Sequence, residues 1–365
     1  MYQLILDGLK NDLRSLVEQD KASFPFTPYS TNPYNAMSAM QKAIRRGDCA
    51  VALRAASALL KINPTALWRR LGVTAFEDIT IADPTLLGHV SLCVDAKKFR
   101  AELGGDWKVA THLISRMCES SKDRSPDDLV DQLMYDPELE DHRWRIAELS
   151  FQERLNLIFE TDRIDLKALA VWMSFGSNRV VGENIPEVTG DPTALFDCMI
   201  DHGLSPTNVE IARIGAKKTG EVLPAFFPVL YEASYKQEQY VKDDELPPIC
   251  FVNEIPSYVF DLHTRDGNSC FREFIRRSPE MRAFLLSCDI PKHAWSRTVG
   301  KITFRVESGL LINRLCWRTG QELRRLGDTL GGGINPKMAL EGLELMNQSI
   351  PLLNEVRMEL IGGRS

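Results

Sequence analysis

The 365 residues carry 44 Lys and Arg against 50 Asp and Glu, a formal net charge of −6, with 44% apolar and 26% charged side chains. That length exceeds a single small domain, and the balance is that of a folded globular chain rather than a disordered or fibrous one. No run of 18 uncharged apolar residues occurs, and Asp7 and Lys10 interrupt the start where a signal peptide needs an apolar stretch. Neither a membrane span nor secretion is expected, and a cytoplasmic location follows as the expectation.

The eight cysteines, Cys49, Cys93, Cys118, Cys198, Cys250, Cys270, Cys288 and Cys316, come no closer than 18 residues apart. No CxxC pair exists, so neither a zinc site nor a disulfide framework is predicted, and the thiols are expected to serve as small apolar residues. Charge is uneven along the chain. Residues 119–165 hold 14 acidic and 6 basic side chains, whereas residues 263–330 hold 13 basic and 7 acidic ones.

Turn and cap signals divide the first third into short helices. Met37, Met40 and Ile44 share one face of a helix predicted over Ala36 to Arg46, which Gly47 ends and Asp48 follows as the next N-cap. The second arm of this helical hairpin places Val51, Ala55, Ala58, Leu59 and Ile62 on its buried stripe. Asn63-Pro64 caps a third helix whose Leu67, Leu71 and Ala75 continue the pattern, with Leu67 and Leu71 opposite Arg69. Asp83-Pro84 caps a fourth, predicted to run through Lys98. Further helices are expected over Trp107 to Cys118, Asp127 to Met134, Ile146 to Phe159 and Ile164 to Ser174. Gly176 to Pro192, with three Gly and two Pro, reads as a loop, and Asp243 to Pro256 as a second boundary holding a short extended piece at Ile249 to Val252. Beyond His263 the pattern is helical again, with a last helix starting at Pro336. An all-α or mostly α multi-helix bundle is the predicted class.

Phosphate-binding and nucleophile motifs are missing. Gly215-Ala-Lys-Lys-Thr-Gly220 has the composition of a P-loop but places its lysines between the glycines, and neither GxSxG, HExxH nor GxGxxG occurs. No cofactor, metal or catalytic residue is therefore assigned. His263, beside Asp261 and Asp266, is the most unusual polar cluster. It reads as an acid–base group of an enzyme of unnamed class, or as a neighbour of a helix N-cap formed by Thr264 or Asp266.

One ordered series of short motifs carries a resemblance. Ser38-Ala-Met-Gln-Lys-Ala-Ile-Arg-Arg-Gly-Asp48, Asn63-Pro64, Trp68-Arg69-Arg70-Leu71, Ala75-Phe-Glu-Asp-Ile79 and Ala82-Asp83-Pro84 follow one another in register. Together, over residues 35–135, they resemble the helical C-terminal region of RarA-type AAA+ ATPases, relatives of clamp loaders, without the ATPase motor. The resemblance singles out Arg45, Arg46, Gly47, Asp48, Arg69, Arg70, Glu77, Asp78 and Asp83. It implies a collar-like module that self-associates and docks protein partners of DNA metabolism, and no ATP hydrolysis. For Glu77 and Asp78 the residues themselves favour capping or pairing with Arg69 and Arg70.

The basic segment interleaves arginines with Phe271, Phe274, Trp295, Phe304 and Trp317. If it is helical, Arg314, Arg318 and Arg325 share one face, and with Arg272, Arg276 and Arg277 they could contact phosphates or a partner. Alternatively these arginines neutralise the acidic 119–165 stretch, within the fold or across an oligomer interface. The expected organisation is a lead-in over 1–34, a helical collar-like domain over 35–175, a mainly helical middle region over 176–260 and a basic helical region over 261–365. The expected function is a non-catalytic, homo-oligomerising scaffold of DNA replication, repair or recombination, possible also for a mobile element, with direct nucleic-acid binding through 263–330 as the alternative.

Overall fold

A computed structural model describes residues 2–20 and 27–363, which are mostly helical, with only short strands. None of the helices among them is long and apolar enough to cross a membrane. The helices gather into two compact units, one of Met1–Ser23, Trp68–Lys242 and Arg314–Gly327, the other of Phe24–Leu67, Asp243–Asn313 and Asp328–Ser365. The stretches 35–175, 176–260 and 261–365 each contribute to both units.

In the first unit the caps predicted from sequence form. The Asp83 carboxylate accepts from the Leu86 N–H at 2.9 Å, and Pro84 opens the helix Pro84–Cys93. That helix stops before Lys98, however. Asp95 takes a left-handed backbone conformation, φ 49°, and a separate helix Lys97–Glu102 follows. A single helix over Ile146 to Phe159 is likewise replaced by Glu140–Glu148 and Phe151–Glu160. Ser150 and Glu153 form a capping box between them, satisfying two backbone donors that a continuous helix would not leave free.

Ile164–Phe175 is buried along nearly its whole second half, which is why its sequence is apolar on every face. Around it pack Leu223–Tyr235, Ser125–Tyr135 and Phe151–Glu160. Gly215 lets helix Pro206–Thr219 approach Phe76 closely, since a Cβ there would sit 2.2 Å from the ring. The predicted loop from Gly176 is present, pinned by Trp172 Nε1 donating to the Val180 carbonyl at 2.8 Å and by Ser177 Oγ donating to the Pro186 carbonyl at 2.6 Å. Strands Tyr240–Lys242 and Arg314–Cys316 pair antiparallel, with Val241 opposite Leu315.

Leu71 is completely buried in this unit and Arg69 is exposed, so the face assigned from spacing is the packed one. Truncating Leu71 to Ala removes apolar contacts and leaves a cavity, and a loss of about 2–5 kcal/mol is expected. A denaturant melt reads it, and a shift below about 0.5 kcal/mol would mean that the site collapses freely or that the face is wrong.

The second unit contains the predicted helical hairpin, Pro33–Arg45 and Cys49–Ile62. Gly47 turns the chain at φ 67°, and Asp48 accepts from the Val51 N–H at 3.1 Å. Ile62, expected on the buried stripe, is exposed, while Ala52, Leu53 and Ala56 are buried with the rest. The main apolar cluster joins Phe271, Phe274, Met281, Phe284 and Val299 to Met346, Ile350 and Leu353 of the helix Pro336–Arg357. A two-residue turn at Asn253-Glu254, both at positive φ, links Phe251–Val252 to Ile255–Pro256.

Charge is built into this second core. Lys42 Nζ lies 2.8 Å from Asp261 Oδ2 and also donates to the Tyr258 carbonyl at 2.9 Å. Burial pushes its ammonium down to about 8 even though Asp261 pulls the other way. Arg357 and Glu307, both fully buried, meet through two hydrogen bonds of 2.8 Å. Glu307 lies in the π-helical turn Phe304–Ser308, whose carbonyls accept from Arg45 and Arg46.

Candidate functional site

The residues singled out from the sequence fall into separate places. In the second unit, Arg272, Arg276 and Arg277 lie on the helix Arg265–Arg277. Arg276 and Arg277 both grip Glu273, and Arg277 also reaches Glu359 at 2.6 Å, so two of these three cations are engaged within the fold. The helical stripe of Arg314, Arg318 and Arg325 does not form. Arg314 is a buried strand residue, whereas Arg318 and Arg325 are exposed on the helix Arg318–Leu330.

Arg314 instead sits by the acidic stretch. The Leu315 N–H donates to the Lys122 carbonyl at 2.8 Å, and next to Lys122 the buried Asp123 accepts from Ser125 and from Trp317 Nε1. Burial pushes the Asp123 carboxyl up to about 6, while those hydrogen bonds and the Arg314 charge pull it down.

The motif residues that carry the resemblance are used in holding helices. Arg45 and Arg46 bind the carbonyls of Ser308 and Glu307 at 3.1 and 2.9 Å, Asp48 and Asp83 are N-caps, and Asn63 accepts from the Ala66 N–H at 3.0 Å. Asp78 pairs with the buried Arg124, 46 residues on. Arg69 is exposed and Arg70 and Glu77 are half-buried.

His263 is exposed, and its backbone N–H donates to Asp261 Oδ1 at 3.0 Å. Thr264 is the N-cap, accepting from the Gly267 N–H, while Asp266 accepts from Asn35 Nδ2 at 3.1 Å. Asp261 faces both Lys42 and His263, and the hydrogen bonds around them are those of a helix start. A Cys–His pair, which spacing alone could have found, occurs at Cys198 and His202, with Sγ 3.4 Å from Nδ1. The same Nδ1 is 2.9 Å from the Cys198 carbonyl, an acceptor, so it carries the proton and cannot take one from the thiol. Among the described residues no group of three or more His, Cys, Asp or Glu is placed to hold a metal ion.

A cleft of about 640 Å³ in the first unit has the makings of a binding site. Five stretches line it: Gln132 of the helix Ser125–Tyr135, residues 158–167 from the end of the helix Phe151–Glu160 into Ile164–Phe175, Leu204, residues 229–237 at and just past the end of Leu223–Tyr235, and the first turns of Arg318–Leu330. Ile158, Leu204, Val229 and Leu323 give it a buried apolar lining. Charged side chains are equally divided. Arg163 pairs with Asp165 at 2.6 Å and Lys236 with Glu232 at 2.7 Å, which leaves Lys167, Arg318, Asp162 and Glu322 in no ion pair among the described residues.

Burial lowers the Lys167 ammonium from its ordinary value. Gln132, also in the lining, donates from Nε2 to Asp136 at 3.4 Å, and that carboxylate fixes which end of the amide is nitrogen. Its Oε1 is enclosed with no donor, a state that costs about 1–3 kcal/mol. A neighbouring hollow of about 460 Å³ shares Lys236, Gln237 and Arg318 and extends to Tyr240, Trp317 and Gln321. Of the predicted contact residues, Arg318 alone lines these depressions. Sequence reasoning missed the rest, because the lining comes from five stretches that lie up to about 190 residues apart.

Compared with known proteins, the chain matches no family model, no curated protein and no solved structure.

Proposed function

We propose that the chain is a non-catalytic helical scaffold that self-associates and holds protein partners of DNA replication, repair or recombination. The single observation that carries the scaffold reading is the use made of the residues at the motif positions. Asp48, Asn63 and Asp83 are spent on caps and Asp78 on a buried ion pair, so the signature at residues 35–135 is one of helix architecture. Association with DNA metabolism rests on the resemblance of that ordered series to the collar-like region of RarA-type ATPases. Balanced charge around the cleft supports a protein partner over nucleic acid, because a polyanion gains from a basic surface and is repelled by Asp162 and Glu322.

Light scattering of the purified chain at tens of micromolar tests the self-association. A dimer or larger species is expected, and a strict monomer would overturn the collar-like role.

A further inference from the structure

We propose that the cleft of the first unit binds a polypeptide segment of a partner protein, one that places an apolar side chain between an acidic and a basic one. This rests on the scaffold reading and gives it a site and a partner chemistry. The argument begins with what the cleft leaves unsatisfied. Two of its charge pairs are closed internally, Arg163 with Asp165 and Glu232 with Lys236. Lys167 and Arg318, and likewise Asp162 and Glu322, make no ion-pair contact among the described residues, although the Asp162 charge acts on Lys167, so a ligand carrying one cation and one anion can close contacts that the cleft leaves open.

The second observation is Gln132, only 7% exposed, whose Oε1 lacks a donor. Gln132 lines the cleft and is held by one long hydrogen bond to Asp136, so an N–H donor brought there by a ligand would have an acceptor to satisfy. The third is a second hollow, along Tyr240 and Gln321, which adjoins the cleft through Lys236, Gln237 and Arg318 and offers a chain more than one place to rest.

These features select one ligand class. Nucleic acid offers negative charge throughout and leaves Asp162 and Glu322 opposed, and a small organic anion satisfies the cations alone. A polypeptide offers backbone N–H donors, charges of both signs and an apolar side chain for the surface of Ile158, Val229 and Leu323.

The test is selection of phage-displayed random dodecapeptides on the full-length protein, followed by fluorescence anisotropy of an enriched peptide. Enriched sequences are expected to carry both charges about an apolar residue. Lys167→Met and Asp162→Asn should each weaken binding roughly tenfold or more, the scale of a lost charge-assisted contact, without changing the circular-dichroism melt. A peptide with its acidic residue changed to Lys should regain affinity for Lys167→Glu. No enrichment, or affinity indifferent to both substitutions, would overturn the proposal. So would an oligothymidylate or anilinonaphthalene sulfonate that binds in a Lys167-dependent manner while peptides do not. Light scattering keeps the two proposals apart: an oligomer that binds no peptide removes this one alone, and a monomer that binds peptides through Lys167 removes only self-association.

Discussion

Replacing Glu307 with Ala is expected to destabilise the second unit by about 3–5 kcal/mol, because it leaves the Arg357 guanidinium charged and enclosed without its counter-ion. Both side chains are fully buried, and the two carboxylate oxygens take one hydrogen bond from each terminal nitrogen of the arginine. Asn354 Oδ1 and the Phe260 carbonyl accept from the same guanidinium at 3.0 and 3.1 Å, so three segments of chain converge on one charge. Those neutral acceptors remain in the variant but do not neutralise it. A paired exchange, Glu307→Leu with Arg357→Met, removes both charges and should recover most of the loss, since the attraction of a buried pair largely offsets its own desolvation. Trp295 is the one tryptophan of the second unit, the other five lying in the first. The 19F signal of 5-fluorotryptophan at Trp295 in a urea series therefore reports this unit even if the two unfold in separate steps. A midpoint shift worth less than about 1 kcal/mol for Glu307→Ala would show that water or a rearranged acceptor reaches Arg357.

Legibility in the sequence follows the range of each interaction. Asp48, Asn63 and Asp83 cap helices by bonding an N–H three residues on, so the determinant and its target lie in one short window. Leu67 and Leu71 are legible as packed-face residues, and both are buried, for the same reason: helical spacing is a local property. The break between Glu148 and Phe151 was also present locally, as Ser150-x-x-Glu153, but apolar spacing on both sides hid it. Arg314 is the opposite case. Its tripeptide strand exists because Tyr240–Lys242 and the carbonyl of Lys122 come alongside, partners that no periodicity in residues 311–325 encodes. The cleft was illegible on the same ground, since Gln132, Lys167, Val229 and Arg318 are brought together by packing alone. Both compact units likewise draw on segments from well-separated parts of the chain, whereas composition shifts can mark only linear boundaries.

Asp78 offers the test that separates an architectural from a partner-docking role for the motif residues, and Asp78→Ala is expected to cost about 3–5 kcal/mol. Its side chain is completely buried and joined to Arg124, itself nearly enclosed, while the Asp78 carbonyl accepts from the Asp123 N–H at 3.0 Å. The pair thus ties the end of the helix Pro64–Asp78 to the turn that opens Ser125–Tyr135. Asp127 also contacts Arg124, which keeps one counter-charge in the variant and places the expected loss toward the lower end of that range. Glu77, half-buried beside it, should lose about 1 kcal/mol or less on the same substitution. In the double variant Asp78→Leu with Arg124→Met the coupling should appear as a recovery of stability relative to the sum of the single changes, which a double-mutant cycle isolates. If Asp78 instead acted by docking a partner, Asp78→Ala would melt within about 0.5 kcal/mol of the parent while oligomer mass or peptide binding fell. That pattern would transfer the motif from the fold to an interface, and an unchanged melt with unchanged assembly would leave the ion pair without either role.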